Sequence, residues 1–114
     1  MHELSLACSV VELVDREMRR HGRGRLCGIE MTLGDLSGVD NDSFLYSLQM
    51  VLERSVFAGV RVVVNRVEPK ARCEDCGELF SPESLYTPCP RCGSYATRLG
   101  SGRGFRLSSL IIEE

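Results

Sequence analysis

Three features of the chain predict an α+β fold: two helices packed on a three-stranded sheet, with a ribbon-like four-cysteine module inserted before the last strand. Two segments repeat apolar residues at helical spacing. Three segments are alternating or β-branched, as strands are. Two C-x-x-C pairs stand close together between the last two of those strands. Helices laid on one face of such a sheet would bury both apolar stripes. The insert at residues 70–99 would then divide the main domain into residues 1–69 and 100–114.

In the first helix, Leu4, Ala7, Cys8, Val11, Val14 and Met18 recur at helical spacing, with Glu12, Asp15, Arg16, Arg19 and Arg20 mostly opposite, which predicts a helix from about residue 4 to 21. It stops at "HGRG", where Gly22 can take the left-handed conformation after a basic last turn that suits the helix dipole. In "RLCGIEMTLG", Cys27, Ile29, Met31 and Leu33 alternate with Gly28, Glu30 and Thr32, as in a half-buried strand. "GDLSGVDND" is a turn-rich loop. A second helix is expected from Ser43 to Arg54, with Asp40 or Asp42 as N-cap and Phe44, Leu45, Leu48, Val51 and Leu52 facing inward. "VRVVVNRVE" is β-branched and strand-like, and Pro69 ends it. Beyond the glycine-rich hinge "GSGRG", "FRLSSLIIEE" reads as the third strand.

Bulk properties exclude several classes. An apolar fraction of 43% is too high for disorder. A formal net charge of −2 argues against a nucleic-acid binder, which carries a basic excess. No apolar run approaches the ~20 residues of a membrane helix, and the start has no signal-peptide pattern, so a cytoplasmic protein is expected. There is no Ser-His-Asp set, no phosphate-loop motif and no open metal site with a general base, so no enzyme is expected.

The strongest chemistry lies in "CEDCGELFSPESLYTPCPRCG". Cys73, Cys76, Cys89 and Cys92 form two pairs, each with two intervening residues, so that both sulfurs of a pair can point at one ion. Gly77 and Gly93 follow the second cysteine of each pair, where positive φ is often needed. The segment has too few apolar residues for a core, so a metal would supply its stability. A structural Zn²⁺ in a closed, zinc-ribbon-like site of four cysteines is the expected reading. A disulfide frame and an iron–sulfur cluster are the alternatives. Phe80, Tyr86 and Tyr95 are expected to pack round this module, and Cys8 and Cys27 to be buried core thiols.

The opening "MHELSL" offers a second site. The α-amine of Met1, the amide nitrogen and imidazole of His2, and the amide of Glu3 can close fused chelate rings. Nitrogen donors in a plane suit Ni(II) or Cu(II) better than zinc. On these residues alone, a solvated His2 is the simpler reading. Glu3 could orient His2 or give an oxygen, or simply be a first-turn carboxylate. His21 lies about 28 Å along the helix from His2 and is expected to be a helix-end residue.

Taken together, "MHELSL", a first helix closing in "HG", "LSGVDNDSF", "CEDCG…CPRCG" and "LSSLIIEE" resemble the HypA family of nickel metallochaperones along essentially the whole chain. The resemblance implies a two-helix, three-stranded nickel domain with a zinc domain inserted. It implies nickel at His2 and zinc at the four cysteines, while Met1 and Glu3 are candidate nickel ligands from the chelate rings alone. It also implies delivery of nickel to [NiFe]-hydrogenase, and in some organisms urease, together with a HypB-type GTPase and the hydrogenase large subunit or its maturation complex. The chain would be a monomer or homodimer. Asp40, expected as a cap, falls where family members carry an acidic residue, which leaves a role near nickel open. A rival reading is a zinc-ribbon adaptor that binds nucleic acid or a polymerase subunit through Arg91, Arg98, Arg103 and Arg106. The acidic Glu74, Asp75, Glu78 and Glu83 and the lack of interleaved aromatics weaken it.

Overall fold

The computed structural model describes residues 2–114. Helix α1 spans His2–His21 and helix α2 spans Asn41–Glu53. Strands β1 (Arg25–Gly34), β2 (Arg61–Val67) and β6 (Phe105–Glu113) form one three-stranded sheet in the order β2-β1-β6. Strands β3 (Lys70–Cys73), β4 (Leu79–Phe80) and β5 (Thr97–Ser101) form a second, in the order β4-β3-β5. The chain divides into two compact units. One comprises Met1–Met31, Val39–Asn65 and Leu107–Glu114; the other comprises Thr32–Gly38 and Arg66–Arg106.

In the first unit the two helices pack together, and the buried residues come from both helices and β1. Along β1, Ile29 and Met31 are buried, as strand alternation requires. Leu33, two residues further on in the second unit, continues the alternation and is buried too. On α2, Phe44, Ser47, Leu48 and Leu52 are buried at helical spacing. The start of α2 is fixed by Asp40, whose side chain accepts from the backbone N–H groups of Asp42 (3.1 Å) and Ser43 (3.4 Å). These bonds satisfy donors that have no intrahelical partner. Asp40 is thus the N-cap, and the helix begins two residues before the expected Ser43.

Helix α1 packs on α2, and its buried face shares Ala7 and Val14 with the expected one but is turned toward Val10. Ala7, Val10 and Val14 are buried, while Leu4 is 39% exposed and Cys8 is exposed. Leu6, Val11, Leu13 and Met18 are half-buried. The apolar arc of this helix is wider than one packing stripe, so periodicity left its phase undetermined. Cys8 is therefore not a core thiol, and Cys27 is half-buried rather than buried.

The second sheet was not legible in the sequence. Its strands are short, down to two residues in β4, too short for an alternation to register. They pair antiparallel, with Arg72 opposite both Leu79 and Arg98. The buried positions of residues 70–99 are Ala71, Cys73, Pro82 and Cys89. Tyr86 and Tyr95 are 83% and 76% exposed and do not pack round the module, and Phe80 is half-buried. An interior made of cysteines and a turn has no room for large rings.

On the first sheet, the Glu30 carboxylate of β1 accepts from Asn65 Nδ2 of β2 (2.8 Å) and Ser109 Oγ of β6 (2.9 Å). These two donors, Asn65 first, hold its pKa below the ordinary carboxylate value. A depressed folded pKa contributes stability above the unfolded value of about 4.3 and loses it as pH falls through the folded value. Glu30→Gln should therefore flatten the acid limb of the stability profile, as read by urea midpoints from pH 6 to 3. An unchanged limb would refute the assignment. Phe44→Ala, at a fully buried position, should cost about 3–5 kcal/mol. Cys8→Ser should stay within about 0.5 kcal/mol. Denaturant unfolding measures both, and equal effects would contradict the packing described.

Candidate metal centre

The four cysteines come from two matching turns. In each, the glycine after the second cysteine donates its N–H to the carbonyl of the first: Gly77 to Cys73 and Gly93 to Cys89, both at 2.9 Å. Gly77 and Gly93 have φ of +79° and +76°, which a side chain would strain. Each first cysteine donates its own N–H one residue further on, Cys73 to the Glu78 carbonyl (2.9 Å) and Cys89 to the Ser94 carbonyl (2.8 Å). The Arg91 N–H points at Cys89 Sγ (3.4 Å). The Ser94 hydroxyl donates to Asp75, which ties one turn to the other, and Arg98 pairs with Glu74 at 2.7 Å.

This geometry gathers four sulfurs. Cys73 and Cys92 Sγ lie 3.6 Å apart, as do Cys76 and Cys89, and all four lie within 4.8 Å of one another. Thiolates bound tetrahedrally at about 2.3 Å stand roughly 3.8 Å apart. The cluster therefore fits a tetrahedral thiolate-bound ion. Cys73 and Cys89 are buried, and Cys76 and Cys92 are exposed.

Their acidities diverge. At Cys89, burial raises the thiol, but the backbone N–H groups of Cys92 and Arg91 and bonds with Cys76 and Cys92 outweigh it and bring it down to about 7. At Cys76, the Glu78 backbone lowers the thiol. Loss of solvent and the sulfurs of Cys89, Cys73 and Cys92 outweigh this and push it up to about 12. Crowded sulfurs ionise together only when a cation neutralises them.

His2 is the first described residue, exposed at the start of α1. Met1 lies outside the described residues. Glu3 is half-buried, and its Oε2 accepts from the Asp40 backbone N–H at 3.3 Å. Glu3 and Asp40 thus meet where α1 and α2 both begin. No local pattern could have signalled a contact 37 residues apart in the chain. His21 closes α1, with Nε2 3.9 Å from Glu114.

An α+β unit bearing two helices and a second unit bearing four clustered sulfurs have the make-up of a small metal-site protein. A family model described as "Hydrogenase/urease nickel incorporation, metallochaperone, hypA" matches residues 1–112. The chain belongs to this family. It is 33% identical over 114 residues to "Hydrogenase maturation factor HypA" of Parabacteroides distasonis, covering 100% of this chain and 99% of that one. It is 35% identical over 113 residues to the protein of the same name from Chlorobaculum tepidum, covering 99% and 100%. Among solved structures it resembles the Ni metallochaperone HypA from Helicobacter pylori, with a TM-score of 0.66 and 21% identity over 97% of each chain. That likeness bears on the fold alone. The matches favour the metallochaperone over the nucleic-acid adaptor. No helix of the described residues is long and apolar enough to cross a membrane.

The Glu3–Asp40 contact generates a test that needs no metal. Glu3→Ala should destabilise the nickel-free protein by about 1 kcal/mol, the scale of one hydrogen bond. Urea unfolding of both proteins measures it, and coincident curves would show that the contact contributes nothing.

Proposed function

We propose that this chain binds Ni(II) at Met1-His2-Glu3 and delivers it during maturation of [NiFe]-hydrogenase, with urease as the other recipient its family serves. Membership of a nickel-incorporation family supports the reading. The observation that carries the site is the position of His2. It is exposed, and it opens α1. The first N–H groups of a helix have no intrahelical acceptor. The His2 and Glu3 amide nitrogens are therefore not committed to the helix ladder, and the imidazole can reach an ion from the same turn. Protons compete for these nitrogens, so acid favours release. Glu3, already held by Asp40, would orient the turn or lend an oxygen.

In the same reading, Zn²⁺ occupies Cys73, Cys76, Cys89 and Cys92. Four sulfur ligands leave no open position, so its role is structural. Residues 70–99 form the zinc-stabilised insert, and residues 1–69 with 100–114 form the nickel domain. The partners are a HypB-type GTPase and the hydrogenase large subunit or its maturation complex, in the cytoplasm. No catalytic turnover is assigned to the chain itself.

His2→Ala should abolish nickel binding and leave zinc content and fold intact, because His2 touches no core. One extra residue before Met1 should weaken the site if the α-amine is a donor. Nickel titration followed by d–d absorption decides both. An unchanged affinity and spectrum in His2→Ala would place the site elsewhere. Cys73→Ala or Cys92→Ala should release zinc and melt residues 70–99 while the helical signal survives. Full zinc occupancy in both variants would overturn the assignment.

A further inference from the structure

The second unit contains a cavity that neither metal site uses. It measures about 520 Å³ and is lined by Gly34, Val67, Leu99, Gly102, Arg103 and Arg106, among others. The glycine-rich hinge forms one wall. Gly34 donates to the Gly104 carbonyl (2.8 Å) and Leu36 to the Gly102 carbonyl (2.7 Å). The approach is so close that a Cβ on Gly34 would collide with the Gly102 carbonyl. These bonds fix the wall that carries Arg103.

Charge is distributed unevenly around it. In this unit Asp35 pairs with Arg66 (2.9 Å) and Glu68 with Lys70 (3.6 Å). Glu74 pairs with Arg98 (2.7 Å) and Glu78 with Arg91 (3.9 Å). Two of the arginines expected to form a basic face are therefore neutralised internally. Among the described residues, neither Arg103 nor Arg106 has an ion-pair partner. Both line the one cavity.

We propose that this cavity binds a phosphate-bearing small molecule through Arg103 and Arg106. A guanidinium presents a planar fork of donors that matches a phosphate, and it keeps its charge at any physiological pH. Among the lining glycines, the side-chain space at Gly34 and Gly102 is filled by the Gly102 backbone and by Pro69, but at Gly104 it is empty, so a ligand can approach the backbone there. The volume falls within the roughly 300–1,000 Å³ of small-molecule sites. An orthophosphate would fill a fraction of it, which leaves room for an organic substituent. The site is independent of the nickel reading and would stand if that reading failed.

The test is a ¹⁵N chemical-shift titration of the full chain, with its cysteine site metal-loaded, against sodium phosphate and against adenosine monophosphate. Sodium chloride at matched ionic strength is the control. Saturable shifts confined to residues 32–36, 67 and 99–106 are expected from at least one phosphate probe. Tighter binding of the nucleotide would assign a phosphate ester, and equal affinity a bare oxyanion. The double variant Arg103→Ala, Arg106→Ala should lose at least tenfold in affinity, while Arg72→Ala, away from this cavity, should not change it. Should the double variant fail to fold, the shift map of the unaltered protein decides alone. Shifts that match chloride, that fall elsewhere, or that persist in a folded double variant overturn the proposal. So does binding of a glutamate-rich peptide at these residues while both phosphate probes are silent.

Discussion

Four sulfurs within 4.8 Å of one another set the terms for the second unit. Such a cluster is unfavourable as a set of bare thiolates, because like charges at this spacing repel strongly. It is equally hard to hold as thiols alone, since thiols are weak hydrogen-bond donors that give little cohesion. A bound cation resolves both problems. The surrounding chain is arranged to make that possible. Left-handed glycines close the two turns, backbone N–H groups favour a thiolate at Cys89, and the Asp75–Ser94 contact joins one turn to the other. The buried apolar area here is small, with Ala71, Cys73 and Cys89 the buried hydrophobic residues between 70 and 99. Sheet pairing of two to five residues per strand could not stand on that core alone.

The first unit rests on ordinary burial. Ile29, Met31, Phe44, Leu48 and Val14 are fully or almost fully excluded from water, and each contributes about 1.5–3 kcal/mol on that account. Its polar fixings sit at the margins. Asp40 caps α2 and gives its own N–H to Glu3, so one residue serves the starts of both helices. Glu30 spans three strands in the same manner. The start of α1, where the proposed nickel ligands lie, is thereby positioned by α2 without being buried under it.

Legibility in the sequence followed the length of each signal. The three long strands, both helices and the paired cysteine turns carry patterns of seven or more residues, or glycines at fixed offsets, and these were readable. The phase of α1 was not. Apolar residues at 4, 6, 7, 8, 10, 11, 13 and 14 allow more than one buried stripe, and it is tertiary packing that buries Ala7, Val10 and Val14. The second sheet escaped because its register is set by the turns and not by alternation. Tyr86 and Tyr95 were misplaced because aromatic residues are core formers only where a core exists. For the candidate sites, spacing found the cysteines. The Glu3–Asp40 contact and the separation of Arg103 and Arg106 from Arg91 and Arg98 depend on tertiary partners that no local pattern encodes.

The two proposed metal sites answer opposite demands, and their surroundings differ accordingly. A structural ion must not leave. Its four proposed ligands are each set in a turn, two of them are buried, and four sulfurs would close the coordination sphere. A cargo ion must leave on contact with a partner. Of its proposed ligands, His2 is exposed and opens α1. Affinity there can be high because several nitrogens share one ion, while access stays free for an incoming ligand to replace them one at a time. Burying His2 would slow release, and moving it into the helix interior would commit its amide to the ladder. An exposed first turn therefore suits the proposed nickel site, which has to combine holding with release.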